Sequence, residues 1–352
     1  MEPTGEAVNW LDQAWRLRDA SQLQEARACC ARAAEIFDRE DGPDSPDLAN
    51  ALNLLASIMV DRGEHQDAVA AATRSASICA GWAGRFEGDD ATRIAMQAWT
   101  ALGTAYRYQG RYALAEPQLK RALETSISHF GGEHPESRMA RNNLAVLYKY
   151  TGQFDQAETL YQAALQGAEG ADLATLYHNL GGLEHARGRF AEGEPWARKA
   201  WVLRKSLLGP EDPATLADEA ALAGVLDGLA RYDESEPMYH HVLGEFEKIY
   251  GSNHYEIAVN LHNLAGVQCA RSRLEEAEQT YRRALGLKES LLGSENPDTA
   301  LTAHNLGVLL TDMGRNNEAA ELIEGATRVF EATLGPEHPN TKMARHNRVA
   351  GR

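Results

Sequence analysis

The sequence is short of the features that mark several protein classes. Aromatic residues make up only 7% of its 352 positions, and cysteine occurs four times, at Cys29, Cys30, Cys79 and Cys269. No CxxC pair is present, and the spacings match neither a disulfide framework nor a zinc site. The four thiols therefore read as small apolar fillers in a reducing compartment. No run of eighteen apolar residues occurs, which excludes a membrane-spanning helix. The opening stretch MEPTGEAVNWLDQAW carries acid instead of the basic-then-apolar order of a signal peptide, so a cytoplasmic location is expected. Basic residues are outnumbered, 35 Lys and Arg against 51 Asp and Glu, and the net charge of −16 disfavours DNA, RNA and anionic lipid as partners. No GxxxxGK, GxSxG, HExxH or dinucleotide-binding fingerprint appears, and no Ser–His–Asp set can be assembled. No catalytic residue, metal or cofactor is expected.

What is present is repetition. The segments YRYQGRYALAEPQLKRAL, YKYTGQFDQAETLYQAAL, HARGRFAEGEPWARKA, GLARYDESEPMYHHVL and ARSRLEEAEQTYRRAL share one template, with fainter copies on either side. Anchored on one turn residue each, eight copies centre on Ser21, Gly63, Gly110, Gly152, Gly188, Ala230, Ser272 and Gly314. Seven residues before the anchor every copy has Ala or Gly, from Ala14 to Gly307. Five residues after it every copy has Ala, Gly or Ser, from Ala26 to Ala319. Eight residues before it, seven copies have Leu. Small side chains let two helix backbones approach to about 8 Å while the Leu fills the groove beside them, which predicts an antiparallel helical hairpin per copy. One hairpin cannot bury its apolar face alone, so the copies are expected to stack along a single continuous array over residues 1–352.

The connecting segments DGPDSPD, GGEHPES, GPEDPAT, GSENPDT and GPEHPNT place Gly after one helix and Pro at the start of the next. Ser45, Asp212 and Asn296 precede such prolines and are expected N-caps. Pro117, Pro195 and Pro237 are expected in the first turns of second helices, where a missing N–H costs little. An insertion over 81–90, containing GWAGRFEGDD, lengthens one step and offers Trp82 as an exposed contact. A shortened step leaves only GAEGAD after Gln166, and residues 340–350 read as a closing helix that covers the last pair.

MARNNLAVLYKYTGQFDQAETLYQAAL, with LLGSENPDT and LGPEHPNT, resembles the 42-residue tetratricopeptide repeats of kinesin light chains and their bacterial relatives, over nearly the whole chain. The resemblance implies an all-α, right-handed superhelical tetratricopeptide-repeat solenoid of about eight helix pairs plus the closing helix. It also implies a stand-alone bacterial relative that holds a protein or peptide in a groove. The repeat begins near Val8, which leaves little room for a heptad region of the motor-joining kind.

In such repeats the first helix of each pair lines the groove, and positions at 100° per residue mark out one stripe. On it fall Arg107 and Tyr108; Asn142, Asn143, Lys149 and Tyr150; His178, Asn179 and His185; His262 and Asn263; and His304 and Asn305. The sixth copy, with Ala217, Ala220, Ala221 and Gly224, reads as bare, with room for a bulky side chain. Asn recurs nine before the anchor at 143, 179, 263 and 305. An amide can donate to and accept from an extended peptide backbone; the alternative is that these amides bond across neighbouring helices. Arg107 and Lys149, with Tyr108 and Tyr150 beside them, suit an acidic and aromatic ligand segment. The histidine column of His178, His262, His304 and His346 is interrupted at Ala220, His185 lies two turns from His178, and no carboxylate or Cys completes a metal shell at ligand spacing. Two further functional classes stay open beside the scaffold: a regulatory peptide receptor, and a metal-dependent enzyme built on the groove histidines.

Overall fold

The computed structural model describes residues 3–20, 22–82 and 87–350. Among the described residues seventeen helices form, as eight pairs and one more: α1 (Pro3–Asp19) and α2 (Leu23–Glu40); α3 (Pro46–Asp61) and α4 (His65–Ala80); α5 (Asp89–Tyr108) and α6 (Tyr112–Phe130); α7 (Pro135–Tyr150) and α8 (Phe154–Leu165); α9 (Gly170–Ala186) and α10 (Phe190–Leu208); α11 (Pro213–Gly228) and α12 (Tyr232–Tyr250); α13 (Tyr255–Ala270) and α14 (Leu274–Leu292); α15 (Pro297–Asp312) and α16 (Asn316–Thr333); and α17 (Pro339–Ala350). They group into two compact units, Met1–Leu147 and Tyr148–Arg352, with the division inside α7.

The turn within each pair has one cause. The anchor residue is left-handed in every described copy, at φ between 57° for Ala230 and 79° for Gly314, with Ser272 at 60°; Ser21 lies outside the described residues. The residue after each anchor then donates its N–H to the carbonyl five residues back, as in Gln153 to Tyr148 and Arg315 to Leu310, both at 2.8 Å. That is a Schellman closure, and it stops the first helix at a fixed point. The small columns on either side are buried throughout: Ala56, Ala145, Ala223 and Ala265 are fully covered, as are their partners Ala68, Ala157, Ser235 and Ala277. Where the small residue is Gly, the crossing is closer still. A Cβ on Gly307 would stand 2.7 Å from Ile323 Cγ1 and 3.1 Å from the Ala319 carbonyl, and one on Gly181 would meet Ala197 N at 3.0 Å. The Leu column, from Leu55 to Leu306, is buried as well. In the second unit the apolar clusters follow the chain, with one joining α11 to α14 and others joining α13 to α16 and α15 to α17, so each pair leans on its neighbours.

The first helices begin where the caps place them. Ser45, Asp212 and Asn296 accept the N–H of Leu48, Ala214 and Asp298 respectively. Histidine caps others: Nδ1 of His134, His254 and His338 accepts the N–H of Glu136, Glu256 and Asn340 at 3.1–3.3 Å. Two expectations need correction. Pro117, Pro195 and Pro237 are each the sixth residue of α6, α10 and α12, because those helices start at Tyr112, Phe190 and Tyr232, two residues after the anchor. Each proline therefore removes an interior hydrogen bond instead of occupying a free first turn. Trp82 is no exposed contact: it is only 4% exposed, packs in the first core and donates Nε1–H to the Asp44 carbonyl at 3.0 Å. Residues 83–86 of the insertion lie outside the described residues. The shortened step falls on α8, whose 12 residues are the fewest of any second helix.

Candidate functional site

In the first unit Arg107 and Tyr108, at the end of α5, build a stack with His65 of α4. The Arg107 guanidinium lies 4.1 Å from the Tyr108 ring centroid, and that ring lies parallel to His65 at 4.9 Å. Both His65 nitrogens are buried without a partner, and burial, with Arg107 second, lowers its pKa to about 4. Tyr108 is thus bound into the fold on one ring face. Asn143 on α7 is half-buried, and its amide has no hydrogen-bond partner among the described residues.

In the second unit the stripe divides into two kinds of surface. Its C-terminal end is a closed network. His262 Nδ1 faces Thr302 Oγ1 at 2.9 Å, and its Nε2 accepts from Asn305 Nδ2 at 3.3 Å. Asn305 Oδ1 accepts from His304 Nδ1 at 3.1 Å, and Asn347 on α17 donates to His304 Nε2 at 3.2 Å. These partners fix both imidazoles as the neutral Nδ1–H tautomer. The Tyr281 ring meets that of His262 edge-on, with centroids 5.5 Å apart. Burial, with Lys288 second, lowers the pKa of His262 to about 3, and burial lowers that of His304. Asn305, His262 and His304 thus bond across α13, α15 and α17. Asn263, one residue from His262, is half-buried and has no side-chain partner among the described residues.

Charge pairs hold the N-terminal parts of the first helices. Asp218 of α11, 1% exposed, accepts from Arg204 Nε at 2.7 Å and pairs with His178 Nδ1 at 2.8 Å, and Arg204 reaches Thr175 Oγ1 at 3.0 Å. Asp298 of α15 pairs with the covered Lys288 at 3.0 Å and accepts from the Tyr255 hydroxyl at 2.8 Å. Burial alone would raise its pKa; the Lys288 ammonium and the phenol outweigh that and hold it below the usual carboxylate value.

Toward the C-termini of α7, α9 and α11 the contacts are stepped. Lys149 Nζ lies 3.4 Å from where Gly182 would carry a Cβ; His185 Nε2 lies 3.7 Å from that position on Gly224; Asp227 Oδ2 lies 4.0 Å from it on Gly266. Each group stands three residues before its anchor and rests over a glycine of the next first helix. The buried hydroxyls of Tyr239 and Tyr281 lie 3.4 and 3.6 Å from where Gly224 and Gly266 would carry a Cβ. The space in the bare sixth copy is thus filled in part by the protein's own His185 and Tyr239. Lys149 also lies 5.1 Å from the Tyr150 ring centroid, and the Tyr150 carbonyl meets His338 Nε2 at 3.2 Å. Asn179 is buried at 8% exposure.

Asp227 and its two tyrosines escape the reading of the sequence. A signal is nevertheless there: position 227 is the sixth copy's equivalent of Lys149 and His185, and Tyr161, Tyr239 and Tyr281 each stand nine after an anchor. Among the described residues no group of three or more His, Cys, Asp or Glu is arranged to hold a metal, and no helix is long and apolar enough to cross a membrane.

The tetratricopeptide repeat family profile matches residues 17–80, 95–170, 172–243 and 217–290, and a second profile of the same description matches 299–340. The chain belongs to the tetratricopeptide repeat family, whose repeats generally serve protein–protein scaffolding. It is 25% identical over 159 residues to a clustered mitochondria protein homolog of Aspergillus clavatus, which is 44% of this chain and 13% of that protein. The chain thus spans a small part of the curated relatives it matches; these are fungal and give no support to a bacterial source. Among solved structures, a Rap protein complexed with competence and sporulation factor superposes with TM-score 0.59 at 14% identity, covering 99% of this chain and 100% of that one. Kinesin-light-chain-type repeats from Podosopora anserina superpose at TM-score 0.42 and 22% identity, over 57% of this chain and 98% of that one.

Proposed function

We propose that this protein is a non-catalytic cytoplasmic scaffold or adaptor whose first helices hold an extended segment of a partner protein. The observation that carries this reading is that the stripe keeps polar groups the fold does not use. The amides of Asn143 and Asn263 stand half-buried without protein partners among the described residues. Such an amide, still open to solvent, can both donate to and accept from the backbone of an extended ligand. Within the first unit Arg107 with Tyr108, and within the second Lys149 with Tyr150, each offer a cation beside an aromatic ring to an acidic or aromatic side chain.

Selection of a phage-displayed library of random peptides on the full chain, followed by titration calorimetry of the enriched peptides, tests this. Asn143→Ala and Asn263→Ala are expected to weaken binding by about 0.5–1.5 kcal/mol each, the net worth of a hydrogen bond, with melting curves unchanged. No enrichment, or enriched peptides indifferent to both variants and to Lys149→Glu, would refute the groove.

A further inference from the structure

We propose that Asp227 is the receiving carboxylate for a basic group, a lysine or arginine side chain of the bound segment, in a well floored by Gly266 and bordered by Gly224 and Tyr239. This rests on the peptide-binding reading above and gives it a chemical polarity. Three observations carry it. The first is that Asp227 lacks the partners that several recessed carboxylates of the second unit have. Asp218 has Arg204 and His178, Asp298 has Lys288, and Glu184 has Arg187 at 2.8 Å. Asp227 is half-buried, and no described side chain hydrogen-bonds or ion-pairs with its carboxylate. A recessed carboxylate without a cation is costly to keep unless something supplies one.

The second observation is an orphaned group beside it. Tyr239 is fully buried and its hydroxyl has no hydrogen-bond partner, yet that hydroxyl stands 3.4 Å from the missing Cβ of Gly224. A guanidinium or ammonium above Gly224 and Gly266 would donate both to the carboxylate and to the phenol oxygen. The third is the shape. The missing Cβ atoms of Gly224 and Gly266 leave open the space against which these polar atoms lie, and a side chain at either position would fill the well.

The opposite charge lies two steps back along the stripe, where Lys149 stands over Gly182. At about 10 Å per helix layer the two charges are roughly 20 Å apart, the reach of about six extended residues. The surface therefore favours a segment with an acidic group at one end and a basic one at the other, lying in a single direction.

The groups that face the well are Tyr239 of α12, Tyr281 of α14 with Cys269 of α13 beside it, and His185 of α9. Burial and, for the tyrosines, neighbouring negative groups raise the phenols; burial and Asp312 raise Cys269 to about 11; burial and Lys149 lower His185. Burial raises the carboxyl of Asp227 itself to about 6.

The test uses the same random-peptide selection on the full chain, run in parallel on Asp227→Asn and Asp227→Lys. The parent should enrich peptides with one required Lys or Arg, and Asp227→Asn should weaken them by about 10- to 100-fold, the worth of a charged hydrogen bond. Replacing that basic residue by an uncharged isostere should cost the parent as much and Asp227→Asn nothing further. Between pH 7 and pH 5 the parent should lose about tenfold in affinity as the carboxyl is protonated, while Asp227→Asn stays level. Melting curves of the variants check folding. Enriched peptides that depend on Asn263 but have no basic requirement, or that bind Asp227→Asn equally well, would overturn the assignment and leave the groove intact. No enrichment at all would overturn the groove and the assignment together.

Discussion

Asn305 and Asn263 occupy equivalent positions in successive copies, yet truncating them should have opposite consequences. Asn305→Ala removes the partner of His262 Nε2 at 3.3 Å and the partner of His304 Nδ1 at 3.1 Å. His304 is 1% exposed, so water cannot replace what it loses, whereas His262 is half-buried. Leaving a buried polar group unsatisfied costs about 1–3 kcal/mol, so one covered group and one wetter one add to about 1–4 kcal/mol. Asn263→Ala breaks no bond within the fold and should change stability by less than about 0.5 kcal/mol. Urea unfolding followed by helical circular dichroism measures both, and hydrogen exchange would place the Asn305→Ala loss in α13 to α17. Equal losses for the two variants, or an Asn305→Ala midpoint matching the parent, would refute the division of the stripe into a bonded end and an open one.

The depressed His262 gives a pH prediction. Its folded pKa of about 3 lies below the ordinary 6.5, so the unfolded chain binds the extra proton and stability falls as pH drops below about 6.5, continuing toward 3. The loss should reach about 1–2 kcal/mol by about pH 5, and His262→Gln should flatten that part of a stability profile; an unchanged slope would count against the neutral tautomer. Ala230 and Ser272 hold φ of 57° and 60° where the other described anchors are Gly. Ala230→Gly should relieve about 1–2 kcal/mol of left-handed strain against about 0.4–1 kcal/mol of lost unfolded-state restriction, a net gain of roughly 0.5–1 kcal/mol, visible as a higher urea midpoint. A lower midpoint would show that the turn is not strained.

The fold is legible in the sequence because its pattern is steric. A column of Ala and Gly seven before the anchor and another of small residues five after it can serve only a close helix crossing, and every described member is buried. The stripe is legible as a direction and less so as chemistry. Helical spacing shows that Asn305 and Asn263 share a face, but not that His262 turns toward one of them, because that depends on rotamers and on α17 folding back with Asn347. Asp227 is hidden because three alanines and a glycine make the sixth copy look empty, and emptiness in sequence is not emptiness in space. Trp82 reads as exposed because its neighbours are Gly and charged residues, while the Asp44 carbonyl that receives it lies 38 residues away. The sixth-position prolines shift by a turn because the aromatic two after each anchor already belongs to the helix.

Gly181 and Gly182 are neighbours in the chain with unrelated duties. Gly181 meets the backbone of α10 at 3.0 Å and cannot gain a methyl group without parting a hairpin; Gly182 faces Lys149 and could gain one at the expense of a well. The same division separates Ala223 from Gly224 and Ala265 from Gly266. Architecture and recognition are thus written on adjacent letters, turned about 100° apart by the helix. A lineage carrying this array can fill or recharge one position of the stripe at a time by single substitutions, leaving every hairpin standing, so that surface can drift far faster than the shape.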